Sequence, residues 1–314
     1  MDFFTHLIFG VLLYNLFLGG VTYDYIFLAS FFSILPDLDV FLSPLRRVIK
    51  SNYLEHRAGS HSYIIGIILS AIIGIFYSAI RQKPFLIVWL IGMLFYGLHV
   101  SMDLLTTTKI PYLYPLSKKE HSFYVEKAGS LFTMLCSLCF IILTASLNAS
   151  SVNFNVFKII LNAFTGFYIS YYIYRIATRI WFGLKLKDNQ KYFPGVLPFS
   201  YAIYNHGIEG NEISLSIERR FHFSKKKETV KSNTALNAEE MDLFERGLAL
   251  CNKVYYYAKW TKFPIFIRDE EIFSIRLFFL ETMMRRRTMY IQFDFGMLTE
   301  QVVGISRKSG PIQI

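Results

Sequence analysis

Seven side chains in the first third of the sequence have the types and spacings of a metal site: His6, Asp37, Asp39, His56, His61, His99 and Asp103. His99 and Asp103 are four residues apart, so on a helix they lie one turn above the other and can reach one ion together. Asp37 and Asp39 flank Leu38 just after Pro36, a residue that breaks a helix and lets neighbouring carboxylates turn inward from irregular backbone. Imidazole nitrogens mixed with carboxylate oxygens suit zinc, manganese or ferrous iron better than calcium or magnesium. One or more such ions can lower the pKa of a bound water and stabilise the entering and leaving oxygens of an in-line displacement at phosphorus.

Each residue also has a plainer reading. His6 and His61 can face headgroups, Asp37 or Asp39 can cap a helix, and His99 with Asp103 can form a hydrogen-bonded pair between helices. Arg57, next to His56, can grip two phosphate oxygens or simply sit in a basic loop. His121, after Lys118 and Lys119, is a candidate proton donor or an ordinary loop histidine. Cys136 and Cys139 have CxxC spacing inside an apolar stretch, and with no second CxxC they read as small residues on a helix face.

The elements that must position these residues are membrane helices. Of 314 residues 53% are hydrophobic and only 18% charged, with 31 Phe and 21 Tyr and a net charge of +10, which excludes both a disordered chain and a wholly soluble one. Three cysteines exclude a disulfide scaffold. Residues 185–314 carry 20 basic and 15 acidic side chains against 13 and 8 in the longer stretch 1–184. The division predicts an all-α multi-pass membrane domain over 1–184, carrying the metal site, and a small soluble α+β domain over 185–314.

Six spans are expected: one from Asp2 to about Tyr23, then 25–42, 58–80, 84–102, one within 128–157, and 157–182 ending in Arg175, Arg179 and Trp181. The first lacks the basic cluster and cleavage site of a signal peptide. This arrangement gathers Arg46, Arg47, Lys50, Arg57, Lys109, Lys118, Lys119 and Lys127 on one face and leaves Arg81, Lys83 and Lys158 on the other. The bias of basic loops then puts both termini and the C-terminal domain in the cytoplasm, with all seven candidate ligands at the cytoplasmic ends of four spans. A central Asp costs roughly 2.5–3.5 kcal/mol on insertion scales, so seven ionisable groups on one face need a common compensation.

The C-terminal part alternates polar and apolar residues at 213–223 and 289–295, the pattern of half-buried strands, with further strands expected around 263–282. Asn237 and Glu240 form a capping box for one amphipathic helix running through Met241, Phe244, Leu248, Cys251, Tyr255 and Ala258. Pro194-Gly195 and Pro198 mark the approach to this domain. Two basic triplets, 225–227 and 285–287, can meet anionic lipid headgroups or be solvated ends; lipids are the expected partner and nucleic acid is not.

The ordered set Thr5-His6, Pro36-Asp37-Leu38-Asp39, His56-Arg57-Ala58-Gly59-Ser60-His61-Ser62 and Leu98-His99-x3-Asp103, followed by Pro115, resembles the YdjM family of membrane-bound metal-dependent hydrolases. The match spans about the first 120 residues. The family is in turn similar to zinc-dependent phospholipase C and P1-type nucleases. The resemblance implies metal ligation by His6, Asp37, Asp39, His56, His61, His99 and Asp103, without saying which of them touch the ion, and it points to hydrolysis; His61 and Arg57 are the expected catalytic residues. Ala58 stands where the family has Gly, and Thr106-Thr107-Thr108 replace the glycine after the last Asp. The expected function is a cytoplasmic-membrane, metal-dependent hydrolase of a phospholipid or another amphiphilic phosphate ester, using Zn2+ or Mn2+. The alternative is a metal-binding sensor or adaptor without turnover whose C-terminal domain binds a partner.

Overall fold

Helices α1 (Phe3–Leu18), α2 (Tyr23–Ile34), α3 (Tyr63–Arg81), α4 (Phe85–Leu104), α5 (Leu131–Ala149) and α6 (Phe154–Gly183) make up the N-terminal region of the computed structural model. The structure describes residues 1–18, 23–42, 49, 54–149, 154–284, 287–297 and 299–312. Arg46, Arg47, Lys50, Arg285 and Arg286, named above for their charge, lie outside them. The chain divides into two compact units, Met1–Thr178 and Arg179–Ile314.

Among the described residues three helices are long and apolar enough to cross a membrane, Tyr63–Arg81, Phe85–Leu104 and Asn155–Gly183, while Phe3–Leu18 and Leu131–Ser146 are shorter apolar helices. The span expected over 25–42 is not one α-helix. Residue Leu35 precedes Pro36, which disfavours the α conformation, and the chain tightens into a 3₁₀ helix over Leu35–Leu42. α3 starts at Ser62, whose hydroxyl accepts from the Ile64 amide, and α4 starts behind Pro84.

In the first unit α1 packs on α2, α2 on α4, α3 on α4 and α1 on α5. Leu28, Phe32, Val88, Phe95, Tyr96 and Val100 form the buried centre of the α2–α4 contact. Small residues let these helices approach: Gly66, Ser70 and Gly74 are the buried residues of α3, spaced one turn apart. A Cβ on Gly66 would stand 2.3 Å from the Tyr96 ring, and one on Gly92 would stand 2.7 Å from Ser70 Cβ and 2.8 Å from Phe32.

At one end of this unit Arg81 and Lys83, in the α3–α4 connection, reach Asp24 at the start of α2 at 2.7 and 3.0 Å. Hydrogen bonds from Lys83 and Arg81 hold the Asp24 carboxyl below its ordinary range. The α2 start and the α3–α4 turn therefore share one end, and the α2 exit, the α3 entry and the α4 exit share the other. Arg175, expected to mark the end of the last span, is instead fully buried. Its Nε lies 3.0 Å from Glu126 Oε2, and that oxygen also accepts the Tyr171 hydroxyl at 2.5 Å. The charge is tolerated at this depth because it is paired and hydrogen-bonded.

The second unit contains two four-stranded antiparallel sheets. β1 (Gln190–Pro194), β2 (Ser200–Glu209), β3 (Glu212–Phe221) and β4 (Lys227–Ala235) pair in sequence order, as do β5 (Lys262–Arg268), β6 (Ile272–Phe279), β7 (Arg287–Gly296) and β8 (Val302–Pro311). Between the sheets in sequence stand α7 (Ala238–Asn252) and α8 (Tyr255–Lys259). The capping box is present in full: Asn237 accepts from the Glu240 amide and Glu240 from the Asn237 amide. Arg268 binds the same carboxylate and holds it below its usual range. The single helix expected through Ala258 is two helices, with Val254 in extended conformation between them. Pro194 ends β1, and Gly195 and Pro198 lie between β1 and β2, inside the domain rather than before it. Strands β1, β2, β4 and β8 were not foreseen.

The close helix approach gives a test. Gly66→Ala and Gly92→Ala should each lower stability in detergent by about 1–3 kcal/mol, because the neighbouring rings must give way. Gly166→Ala, with nothing within 4 Å of the new Cβ, should leave the melting temperature unlowered, since Ala also favours the helix.

Candidate metal centre

Four of the seven candidate ligands converge. One donor atom from each of Asp37, His61, His99 and Asp103 lies within 4.8 Å of all the others. His61 Nε2 is 3.4 Å from Asp37 Oδ1, 3.3 Å from Asp103 Oδ2 and 3.2 Å from His99 Nε2. His99 Nε2 is 3.6 Å from Asp37 Oδ1 and 4.0 Å from Asp103 Oδ2. Asp37 comes from the 3₁₀ helix, His61 from the turn before α3, and His99 and Asp103 from the last turns of α4.

The hydrogen bonds around the rings settle which nitrogens carry lone pairs. His99 Nδ1 lies 2.6 Å from the Ser33 carbonyl oxygen, which can only accept, so Nδ1 carries the proton. Ser60 Oγ donates to Asp39 Oδ2 and stands 3.0 Å from His61 Nδ1. With its one hydrogen committed to Asp39, the hydroxyl accepts from His61 Nδ1. In the neutral rings both Nε2 atoms therefore present lone pairs to each other. Asp37 Oδ1 and Asp103 Oδ2 are buried and accept no hydrogen bond.

Four electron-pair donors facing one another repel; Arg57 Nε, 3.2 Å from Asp103 Oδ2, offsets part of this, and a cation among the four would relieve the rest. Ligand bonds of about 2.0–2.2 Å in a tetrahedron put neighbouring donor atoms about 3.3–3.6 Å apart. The distances here bracket that range, and the donor set, two imidazoles and two carboxylates, fits a divalent ion with borderline character.

The remaining three candidates surround this group. Asp39 follows Asp37 by two residues, and at three residues per 3₁₀ turn the two carboxylates point in different directions. Asp39 accepts from His56 Nδ1 at 2.6 Å, from the Arg57 amide at 3.2 Å and from Ser60 Oγ, and it lies 3.5 Å from His61 Nδ1. It orients His61 from behind. His56 is edge-on to His61 at 5.6 Å and its side chain is 35% exposed, in contrast to the sealed rings of His61 and His99. His6 stacks on His99 with ring centroids 3.7 Å apart and places Nε2 3.3 Å from Asp103 Oδ1. It braces both the ring and the carboxylate.

Arg57 is buried, with a left-handed φ of 58°. Its Nε lies 3.2 Å from Asp103 Oδ2, its NH1 group donates to Thr108 Oγ1 at 3.2 Å, and its NH2 group donates to the Met1 carbonyl. The Met1 amine rests against Asp103 Oδ1. The guanidinium thus steadies Asp103. Thr106, in the run that replaces a glycine, donates to the Asp103 carbonyl at 2.8 Å, and Thr108 holds Arg57, so the run supports the site from beneath.

His121 lies elsewhere, its backbone paired with Ile110 and its ring 5.2 Å from Tyr112. Cys136 and Cys139 are free, and neither belongs to a metal-competent group among the described residues. Sequence reasoning missed Ser33, which acts through its carbonyl, and Tyr96, whose hydroxyl donates to the Ser60 carbonyl. It missed the buried Glu126–Arg175–Tyr171 group as well. A backbone carbonyl leaves no signal in the sequence. Glu126, by contrast, is an acidic residue next to an apolar stretch and could have been paired with Arg175 by charge alone.

A family model described as YdjM inner membrane protein matches residues 1–179 of the chain. No curated protein and no solved structure matches it.

Ligands and supports should separate in metal-binding measurements. Asp103→Asn and His61→Ala should abolish stoichiometric divalent metal in the purified protein. Asp39→Asn should retain the ion with affinity lowered about 10–100-fold, the usual cost of losing a contact behind a ligand. Equal metal content in all three variants and the unaltered protein, by elemental analysis, would exclude this site.

Proposed function

The chain belongs to the YdjM inner membrane protein family, and on that premise we propose that it is a membrane-embedded, metal-dependent hydrolase acting on a phosphate ester. The observation that carries the reading is the meeting of Asp37, His61, His99 and Asp103 at one end of the helices, with two carboxylate oxygens that accept no hydrogen bond. A divalent ion held there would supply an acidic bound water and a positive charge facing the ester. The chain's own residues do the rest. Asp39 fixes the His61 tautomer, His99 is fixed by the Ser33 carbonyl, and Arg57 and His6 hold the Asp103 carboxylate. His56, hydrogen-bonded through Nδ1 to Asp39, is the partly exposed imidazole at the edge of the group and is placed to pass a proton between Asp39 and solvent.

In the proposed arrangement six helices cross the membrane, both termini lie in the cytoplasm, and the site opens at headgroup depth on that side. The charge bias of the loops supports it. A lipid phosphate can enter such a site sideways, whereas a large soluble polymer would meet the membrane surface first. An amphiphilic phosphate ester, a phospholipid included, is therefore the proposed substrate class.

A second reading has its own support. His61, His99 and Asp103 are fully buried and Arg57 is turned inward onto Asp103, the features of a closed metal site in a sensor or adaptor. Turnover decides between them. The metal-loaded protein in lipid should cleave a phosphoester from a broad lipid panel, lose the activity to chelator and regain it with Zn2+ or Mn2+, and be inactive as His61→Ala. Tight metal retention with no cleavage of any panel member would favour the sensor.

The topology has a separate check. Reporter fusions after Lys127 and after Lys191 should both report the cytoplasm, and an outside signal from either would break the six-span arrangement.

A further inference from the structure

The second unit begins with residues 179–183, the last turn of α6, and that turn is built into the first sheet. The Phe182 ring lies 4.3 Å from Tyr201, 5.5 Å from Tyr192 and 5.8 Å from His222. From there ring contacts run to the corner where β2 begins and β3 ends. His222 is 4.9 Å from Tyr201, its amide donates to the Phe199 carbonyl at 2.9 Å, and the Phe199 ring is 5.2 Å from Phe223. At this corner large apolar side chains face outward: Phe223 is 82% exposed, Phe221 50%, Phe199 46% and Leu197 45%. Soluble surfaces seldom gather such side chains without a partner.

Two features identify the partner. First, α6 has the length and composition of a membrane span ending at Gly183, so its last turn reaches the bilayer surface. Trp181 is 59% exposed there and Lys185 places its ammonium 3.7 Å from the indole centroid, an aromatic anchor with a basic side chain beside it. The corner is in ring contact with this same turn and so is held near headgroup level. Second, Lys225 and Lys226, immediately after the corner, are exposed. Nearby, Glu218 is engaged by Arg220 at 2.6 Å and Lys227 at 3.1 Å. Apolar rings edged by lysines complement an anionic bilayer, whereas a second copy of the corner would bring like charges together.

We propose that the corner formed by Leu197, Phe199, Phe221 and Phe223, with Lys225 and Lys226, rests on anionic lipid around the exit of α6. The rings enter the interface and the lysines meet the headgroups. The contact fixes the orientation of the first sheet against the bilayer independently of any metal or turnover.

Hydrogen exchange on the full chain tests this. Single copies in nanodiscs of phosphatidylcholine with phosphatidylglycerol should show the amides of residues 197, 199, 200 and 221–227 exchanging about tenfold or more slowly than in phosphatidylcholine alone, since each lysine near an anionic surface is worth roughly fivefold. Lys225→Gln with Lys226→Gln should remove the difference between the two lipids, and Phe199→Ser with Phe223→Ser should remove the protection, while β6 and β7 amides stay unchanged as a folding control. Equal rates for the unaltered protein in the two lipids would overturn the proposal. So would protection that appears only with two copies per disc, which would make the corner an interface between chains.

Discussion

Two imidazole nitrogens 3.2 Å apart beside two buried carboxylate oxygens bring electron-pair donors together, a repulsion that Arg57 offsets at Asp103 and that a cation among the four would relieve. Much of the first unit serves this constraint. His61 and His99 are held with Nε2 inward because their Nδ1 atoms are tied behind them, one to Ser60 and Asp39, the other to the Ser33 carbonyl. The second tie requires α2 and α4 to lie in direct contact. That contact in turn depends on Gly92, whose missing Cβ admits the Phe32 ring. Helix packing in lipid has no hydrophobic driving force, so close van der Waals fit at small residues is the means by which a polar site is positioned.

The supporting contacts differ from the ligands in what they do with charge. Asp39 accepts from His56, the Arg57 amide and Ser60, a set of donors that satisfies a carboxylate without an ion. Arg57 reaches Asp103, Thr108 and the Met1 carbonyl, which draws the chain's start, the α3 entry and the α4 exit together. The left-handed backbone at Arg57 is unusual for a residue with a Cβ, and it belongs to the turn that carries His61 into the site. Of the seven candidate ligands, whose order of contact the resemblance left open, four face one point, while Asp39, His56 and His6 stand around them.

The second unit is built from strands, and its pattern is one of alternation. Its strands alternate buried and exposed residues, as in β3, where Ile213, Leu215 and Ile217 point to one side. That alternation made β3 and β7 readable. β4 has no readable pattern because it is an edge strand that buries only Ser232, and β1 has none because its buried residues, Tyr192, Phe193 and Pro194, are consecutive rather than alternating. The long helix expected through Ala258 failed for a related reason. Apolar spacing of three and four continues across Val254, but periodicity does not register a break in backbone direction.

The sequence by itself determined that the chain has an apolar helical part and a charged α+β part, since hydropathy and alternation are local properties of consecutive residues. It determined the candidate ligands too, because ionisable side chains at the ends of apolar stretches are costly and therefore conspicuous. Only the tertiary structure decided which of them share a point. Asp37 and Asp39 are indistinguishable as sequence, two acids around one leucine, and are separated by the pitch of a 3₁₀ helix. Arg57 reads as a phosphate-binding residue and is turned inward by Asp103, some forty-six positions away. Ligand identity depends on direction and on partners distant in the chain, and neither is encoded in spacing alone.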